Sequence, residues 1–383
     1  MYAAQDYQRL IDLGIRTIRI AARWHLIEQA NGRFEFECLA GILDAAKAAG
    51  VEVMLDLLHF GWPDDIDVFS KNFSARFSRF TYELARYLKR HDYGCRIFAP
   101  INEISFLSWA GGDRGFINPC ATDRGNELKR NLVRGAAVSS EILLNEIPDA
   151  RLIAPEPLIH IVGDPDIPGD ETEAKMYTDA QYQAWDMLSG RLSPELGGKP
   201  EYLDILGVNF YDRNQWVHNS EPLSRSDPRY RPLREMLKSV WLRYRRPMFI
   251  SETGTEDCAR AEWFNYVCDE VFAALAERIP VRGICLYPIV NHPGWDDDRH
   301  CHNGLFDYAN TEGHREIYSP LAEALKAQQQ RFAANNGFIY ECEERRLNLS
   351  FSSPVGLCLS AASTSNEPVC ASSPGIFCGG TNY

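Results

Sequence analysis

The sequence has no long apolar run and no excess of positive charge. Its longest apolar stretches, such as residues 284–290, are far shorter than the roughly 20 residues that a helix needs to cross a bilayer. Asp6 and Asp12 lie where a signal peptide would be apolar. Because 53 acidic residues outnumber 40 Lys and Arg residues, the net charge of −13 disfavours nucleic acid and anionic membranes as partners. We therefore expect a cytoplasmic protein that binds neither.

The cysteines show no pattern of paired or metal-binding residues. There are 11 of them, an odd number, and those before residue 340 are scattered along the chain. No spacing typical of a zinc ribbon is present, and the last four match no established set of metal ligands; these are Cys342, Cys358, Cys370 and Cys378. We therefore expect reduced thiols, as in a cytoplasmic protein, and no bound metal.

Short runs of β-branched and apolar residues alternate with longer amphipathic stretches. This alternation predicts parallel strands that are connected by crossover helices. The predicted strands are residues 15–22, 51–58, 97–102, 151–155, 202–210, 247–251 and 281–289. Helices are predicted at 3–13, 39–49 and 77–90, and Gly50 follows the second in the position that a left-handed helix cap favours.

The order of these elements favours an α/β fold of the (β/α)8 TIM-barrel class. Residues 3–13 form a helix before any strand, so seven strands are visible and the first strand of an eight-stranded barrel is missing from its usual place. A doubly wound sheet fits less well, since no glycine-rich phosphate loop follows the first predicted strand.

The composition changes near residue 337 and divides the chain into two parts. Residues 1–336 are predicted to form the barrel. Residues 337–383 are rich in Ser and Cys and have few charges towards their end, which predicts an irregular, disordered tail. The missing first strand would leave unpaired backbone groups on its neighbours, and residues 347–351 of the tail, another chain, or nothing could cover them.

Two glutamates follow predicted strands at positions that point to catalysis. Asn102 and Glu103 end the third visible strand, and Glu252 ends the sixth. Because the carboxyl ends of all strands in a parallel barrel surround one cavity, we expect the two carboxyl groups to face each other. A separation of about 5 to 5.5 Å would suit a double displacement at a sugar carbon.

These motifs resemble glycoside hydrolase family 1, the β-glucosidase family, in clan A of the glycoside hydrolases. That family has an Asn-Glu motif after strand four and a Thr-Glu-Asn-Gly or similar motif after strand seven. The resemblance covers roughly residues 3–330 and includes further residues at strand ends: Arg19, His59, Asn209, Tyr211 and Trp295.

The resemblance implies a retaining β-glycosidase that acts without a cofactor on a small glycoside or oligosaccharide. Glu252 would be the nucleophile and Glu103 the acid/base. Arg19 and Tyr211 would keep Glu252 ionised. The substrate-binding residues implied are Arg19, His59, Asn102, Asn209, Tyr211 and Trp295, with Trp109 and Trp62 as further candidates for stacking on a sugar ring.

The chain also departs from the family at positions that bind the sugar. The family's first strand supplies a glutamine that has no counterpart here, and Gly294 and Tyr287 stand where the family has Glu and Trp. One of Asp296, Asp297 and Asp298 could replace a lost contact. The glycone, the linkage, the aglycone and the oligomeric state are therefore not predicted.

Two alternative functions stay open. A metal-dependent sugar isomerase would use oxygen and nitrogen ligands from His59, Glu103, Glu156, His160 and Glu252. A truncated barrel that retains the two carboxylates but has lost activity would bind sugar without hydrolysing it.

Overall fold

The computed structural model describes residues 2–294, 297, 299–335 and 356–360. The strands in this part of the chain are Thr17–Ala21 (β1), Glu52–Leu58 (β2), Ile97–Ile101 (β3), Arg151–Pro157 (β4), His160–Val162 (β5), Ile205–Asn209 (β6), Gln215–Val217 (β7), Met248–Thr253 (β8), Val281–Leu286 (β9) and Gly356–Ser360 (β10). The seven predicted strands are thus confirmed, as β1 to β4, β6, β8 and β9.

The α-helices alternate with these strands. They are Ala3–Asp12 (α1), Trp24–Ile27 (α2), Glu37–Ala49 (α3), Asn72–His91 (α4), Ile104–Leu107 (α5), Gly125–Glu146 (α6), Asp170–Ala180 (α7), Gln183–Leu188 (α8), Leu233–Tyr244 (α9), Arg260–Ala276 (α10) and Ser319–Ala334 (α11). The predicted end of α3 is confirmed, because Gly50 adopts a left-handed conformation with a φ of 66°. No helix within residues 2–335 is both long and apolar enough to cross a membrane.

Eight parallel strands form a closed barrel in the order β1, β10, β9, β8, β6, β4, β3, β2. The TIM-barrel class predicted from the sequence is therefore confirmed. The register of β1 with β2 pairs Thr17 with Glu52 and Ala21 with Asp56. β5 and β7 lie outside the barrel as a separate two-stranded parallel sheet, which the sequence did not predict.

The position of the missing first strand is taken by β10. It pairs in parallel with β1, where Thr17 is opposite Cys358, and with β9, where Gly283 is opposite Gly356. The segment in the gap thus comes from the C-terminal part of the chain, which was one of the expected possibilities. It consists of residues 356–360, whereas the segment expected from the sequence was 347–351. Residues 347–351 and the rest of the predicted irregular tail, apart from residues 356–360, lie outside the described residues, so the disorder of the tail stays a prediction.

Apolar side chains pack on both faces of the barrel. Inside, six buried side chains from six different strands form one cluster: Met54, Ile97, Ile153, Ile205, Phe249 and Cys285. Outside, the helices cover the strands with a larger core, in which Trp24 packs against Phe73, Phe77 and Phe80 of α4. Each fully buried side chain of this size contributes about 1.5–3 kcal/mol, which makes the barrel a rigid support for its strand ends.

Among the cysteines whose side chains the structure describes, Cys120 differs from expectation. Cys38, Cys95, Cys258, Cys268, Cys285 and Cys301 are free thiols, as predicted. Cys120 is disulfide-bonded, so the prediction of reduced thiols is wrong there. Sequence spacing does not reveal a pairing between distant cysteines, because the fold and not the spacing brings them together. The cytoplasmic location stays a prediction.

Candidate active site

The two glutamates lie at the carboxyl ends of their strands, at the same end of the barrel. Glu103 lies between β3 and α5, and Glu252 is the second-last residue of β8 before Thr253. Both are buried, with 9% and 5% of their surfaces exposed. Because charged groups are costly to bury without partners, the contacts of these carboxyl groups decide what the site can do.

Arg19 connects the strands at the base of the site. Its side chain is 1% exposed, and Nη1 donates to Glu252 Oε1 at 2.7 Å and to the Ser251 carbonyl at 3.1 Å. Nη2 donates to Asn102 Oδ1 at 2.6 Å, and Nε donates to Asp56 Oδ1 at 2.9 Å. The planar guanidinium group thereby compensates two buried carboxylates at once.

The two glutamates have different hydrogen-bond partners. Tyr211 donates its hydroxyl to Glu252 Oε2 at 2.8 Å, so Glu252 accepts from a phenol and a guanidinium group. Glu103 Oε1 accepts a 2.8 Å bond from the side-chain amide of Asn209, whose own oxygen accepts from Ser251 Oγ at 2.6 Å. Glu252 thus accepts a hydrogen bond from a cation, whereas Glu103 accepts one from a neutral amide.

The environment favours a proton on Glu103. Burial, and next the negative charge of Glu252, raise the pKa of Glu103 well above its ordinary value. Burial and the same charge also raise the pKa of Tyr211, which keeps its hydroxyl protonated as the donor to Glu252. The arrangement therefore favours a protonated acid at Glu103, whereas Glu252 accepts hydrogen bonds from Arg19 and Tyr211.

His59 and Asn102 extend this network towards the open end of the barrel. His59 Nδ1 lies 2.9 Å from Asp56 Oδ2, and Asn102 Nδ2 lies 3.3 Å from His59 Nε2. Although burial opposes it, the charges of Arg19 and His59 lower the pKa of Asp56. Sequence reasoning missed Asp56; its signal was an acidic residue within the apolar run of β2.

The predicted site residues thus fall into two groups. Those that the structure brings into one hydrogen-bond network are Arg19, His59, Asn102, Glu103, Asn209, Tyr211 and Glu252. Trp295 lies outside the described residues, as do Asp296 and Asp298. Trp62 is buried, and Trp109 is half-buried with its ring against Phe106 and Phe116, so the stacking of either ring on a sugar stays a prediction.

The ligand set of the alternative isomerase is not gathered around one point. Within the residues that the structure describes, the metal-ligating atoms that lie within 4.8 Å of one another belong to Asp170, Glu173 and His218. That cluster contains none of the five candidate ligands. His160 belongs to the small sheet of β5 and β7, which is separate from the barrel.

Comparison with solved structures shows the same fold in family 1 β-glucosidases. The family 1 β-glucosidase from Thermotoga maritima is 15% identical, with a TM-score of 0.70 over 85% of each chain. The complex of the β-glucosidase from this organism with glucoimidazole is 14% identical, with a TM-score of 0.71 over 85% of this chain and 86% of that one. The AHE enzyme from Alicyclobacillus herbarius is 16% identical, with a TM-score of 0.72 over 86% of both.

Comparisons by sequence found no match. No protein-family model matches this chain, and no curated protein matches it. At 14–16% identity the structural likeness shows a glycoside hydrolase fold, and the resemblance inferred from the sequence motifs is confirmed at that level.

Proposed function

We propose that this chain is a retaining β-glycosidase that hydrolyses O-glycosidic bonds of small β-glycosides by double displacement. The observation that supports this most directly is the unequal environment of two buried carboxyl groups in one network. Glu252 accepts bonds from Arg19 and Tyr211, whereas burial and the charge of Glu252 favour a proton on Glu103. A double displacement needs one carboxylate and one carboxylic acid.

In the first step, Glu252 attacks the anomeric carbon and forms an ester with the sugar. The bond to the leaving oxygen breaks, and Glu103 gives that oxygen its proton. In the second step, the Glu103 carboxylate takes a proton from water, and the resulting hydroxide attacks the anomeric carbon. The ester bond breaks and the Glu252 carboxylate is restored, so the sugar keeps its β configuration.

The neighbouring polar groups suit sugar hydroxyls. Asn102 precedes Glu103 and would bond the hydroxyl next to the reacting carbon, a contact that strengthens as positive charge develops in the ring. His59, with its Nδ1 bonded to Asp56, presents Nε2 near Asn102. The T. maritima structure in complex with deoxynojirimycin is of a protein that binds a small sugar-like molecule in the same fold.

The test is trapping of the covalent intermediate. The chain is incubated with activated 2-deoxy-2-fluoro β-glycosides of several sugars and digested, and the peptides are weighed by mass spectrometry. We expect inactivation and one added sugar on the peptide that contains Glu252. Turnover of aryl β-glycosides with no labelled peptide, or a label elsewhere, would overturn the assignment.

Substitution of each glutamate separates the two roles. Glu252→Ala should abolish hydrolysis, and azide should then attack the same face and give an α-glycosyl azide. Glu103→Ala should still form the glycosyl ester from activated substrates, so azide should give the β product. Unchanged turnover in Glu252→Ala would refute the mechanism, and a wild-type chain that binds sugars but hydrolyses none would indicate an inactive barrel.

A further inference from the structure

The turn that presents Glu103 is held in an uncommon backbone conformation. Glu103 has φ 45° and ψ 60°, in the left-handed region that non-glycine residues rarely adopt. Such a conformation costs of order 1–3 kcal/mol and persists only where the surroundings impose it. The position of the Glu103 side chain therefore depends on what holds this turn.

Two consecutive residues of the neighbouring strand β4 hold the turn on both sides of Glu103. The N–H of Glu103 donates to the Pro155 carbonyl at 3.0 Å. The N–H of Ser105, two residues on, donates to the Glu156 carboxylate, at 3.0 Å to Oε2 and 3.3 Å to Oε1. The Glu156 carboxyl group thus accepts a hydrogen bond from an N–H in the first turn of α5, where backbone N–H groups have no partner within the helix.

Glu156 is a buried carboxyl group that the double displacement does not use. It is 2% exposed, and burial raises its pKa to about 7, while bonds from Ser105 and the charge of Lys129 oppose this rise. Its charge also acts on Glu103, whose pKa it raises further after burial and the charge of Glu252. A buried carboxylate beside the acid can therefore affect both its position and its proton.

We propose that Glu156 is a positioning residue for Glu103, which holds the turn in place through its bond with the Ser105 N–H. This inference rests on the proposed function. The other ionisable groups that face Glu103 are Glu252 of β8, Arg19 of β1, and the phenols Tyr211 and Tyr287. Glu156 differs from them because it bonds the backbone of the turn itself.

Two variants separate the effect of the bond from that of the charge. Glu156→Gln keeps an oxygen that can accept from Ser105 but removes the charge, so the alkaline limb of the pH profile of kcat/KM should move to lower pH. Glu156→Ala removes the bond as well. Misplacement of the acid by about 1 Å costs about 100-fold, so kcat/KM on a glycoside with a poor leaving group should fall about 10- to 100-fold.

The leaving group distinguishes loss of acid catalysis from general damage. A dinitrophenyl glycoside needs no proton on its leaving oxygen. Glu156→Ala should therefore retain most of its kcat/KM on this substrate. A matched control is Glu270→Ala. Glu270 is 8% exposed and accepts a 3.0 Å bond from the N–H of Arg234 near the start of α9, away from the strand ends of the site.

The outcomes are distinct. The proposal holds if Glu156→Ala selectively slows the poor substrate, Glu156→Gln largely restores it with a shifted alkaline limb, and Glu270→Ala affects both substrates equally. If both Glu156 variants match the wild type, or slow both substrates equally with an unshifted profile, this inference fails while the glycosidase stands. If Glu156→Ala does not fold, Glu156→Gln decides through its pH profile. A wild-type chain that turns over neither substrate overturns the proposed function and this inference together.

Discussion

Arg19→Met should destabilise the protein strongly. Arg19 is 1% exposed and forms ion pairs with Asp56 and Glu252, each at 2.7 Å. Methionine fills a similar volume but leaves both buried carboxylates without their cation. Removal of one partner from a buried ion pair costs about 3–5 kcal/mol, because the remaining charge is no longer compensated.

The loss of stability in Arg19→Met should depend on pH in a defined direction. In the wild type the pKa of Asp56 is lowered, so the stability that this group contributes is present above the unfolded value near 4 and is lost below it. In the variant, burial without Arg19 raises the pKa of Asp56, so the penalty is full at pH 7 and disappears as the carboxyl takes up a proton. The difference between the two proteins should therefore shrink from pH 7 towards pH 4.

Urea denaturation at several pH values measures this difference. Adding Asp56→Asn to Arg19→Met should recover part of the stability at pH 7, and a double-mutant cycle would give the coupling. Arg96→Met is the control, since Arg96 pairs with Asp149 at the surface, where both side chains are more than half exposed, and should cost less than about 1 kcal/mol. A loss below 1 kcal/mol for Arg19→Met, or one independent of pH, would refute the reasoning.

Three further predictions concern activity and the barrel. Because the pKa of Glu103 is raised, kcat/KM on substrates with poor leaving groups should decline as the pH rises through this raised pKa. An alkaline limb that persists in Glu103→Ala would contradict this. Deletion of residues 336–383 removes β10 and exposes the edges of β1 and β9, so the melting temperature should fall and aggregation should increase; unchanged thermal unfolding would speak against β10 as a barrel strand. Excess chelator should leave hydrolysis unchanged, whereas a loss restored by a divalent ion would favour the metal-dependent alternative.

The barrel and the paired glutamates were predictable because parallel strands leave a periodic, apolar signal. The carboxyl ends of the predicted strands all lie at the same end of the barrel, so the topology alone places Glu103 and Glu252 around one cavity without knowledge of any contact. Asp56 and Glu156 were harder to assign to the site. Their roles depend on which neighbour their carboxylates bond, Arg19 in one case and the N–H of Ser105 in the other, and this is a property of the packed structure.

The position of β10 follows from the same topology, although the composition of the tail did not predict a strand there. In a barrel of repeated βα units, each helix returns the chain so that the next strand lies beside the previous one, with a right-handed crossover. α11 follows β9, so the next strand to enter the sheet belongs between β9 and β1, which is where Gly356–Ser360 lies. α1, which opens the described chain, is then the helix that would normally follow that strand. The strand order of the barrel is therefore complete, its eighth position is supplied from the C-terminal side of the chain, and the strand ends that bear Glu103 and Glu252 belong to one closed sheet.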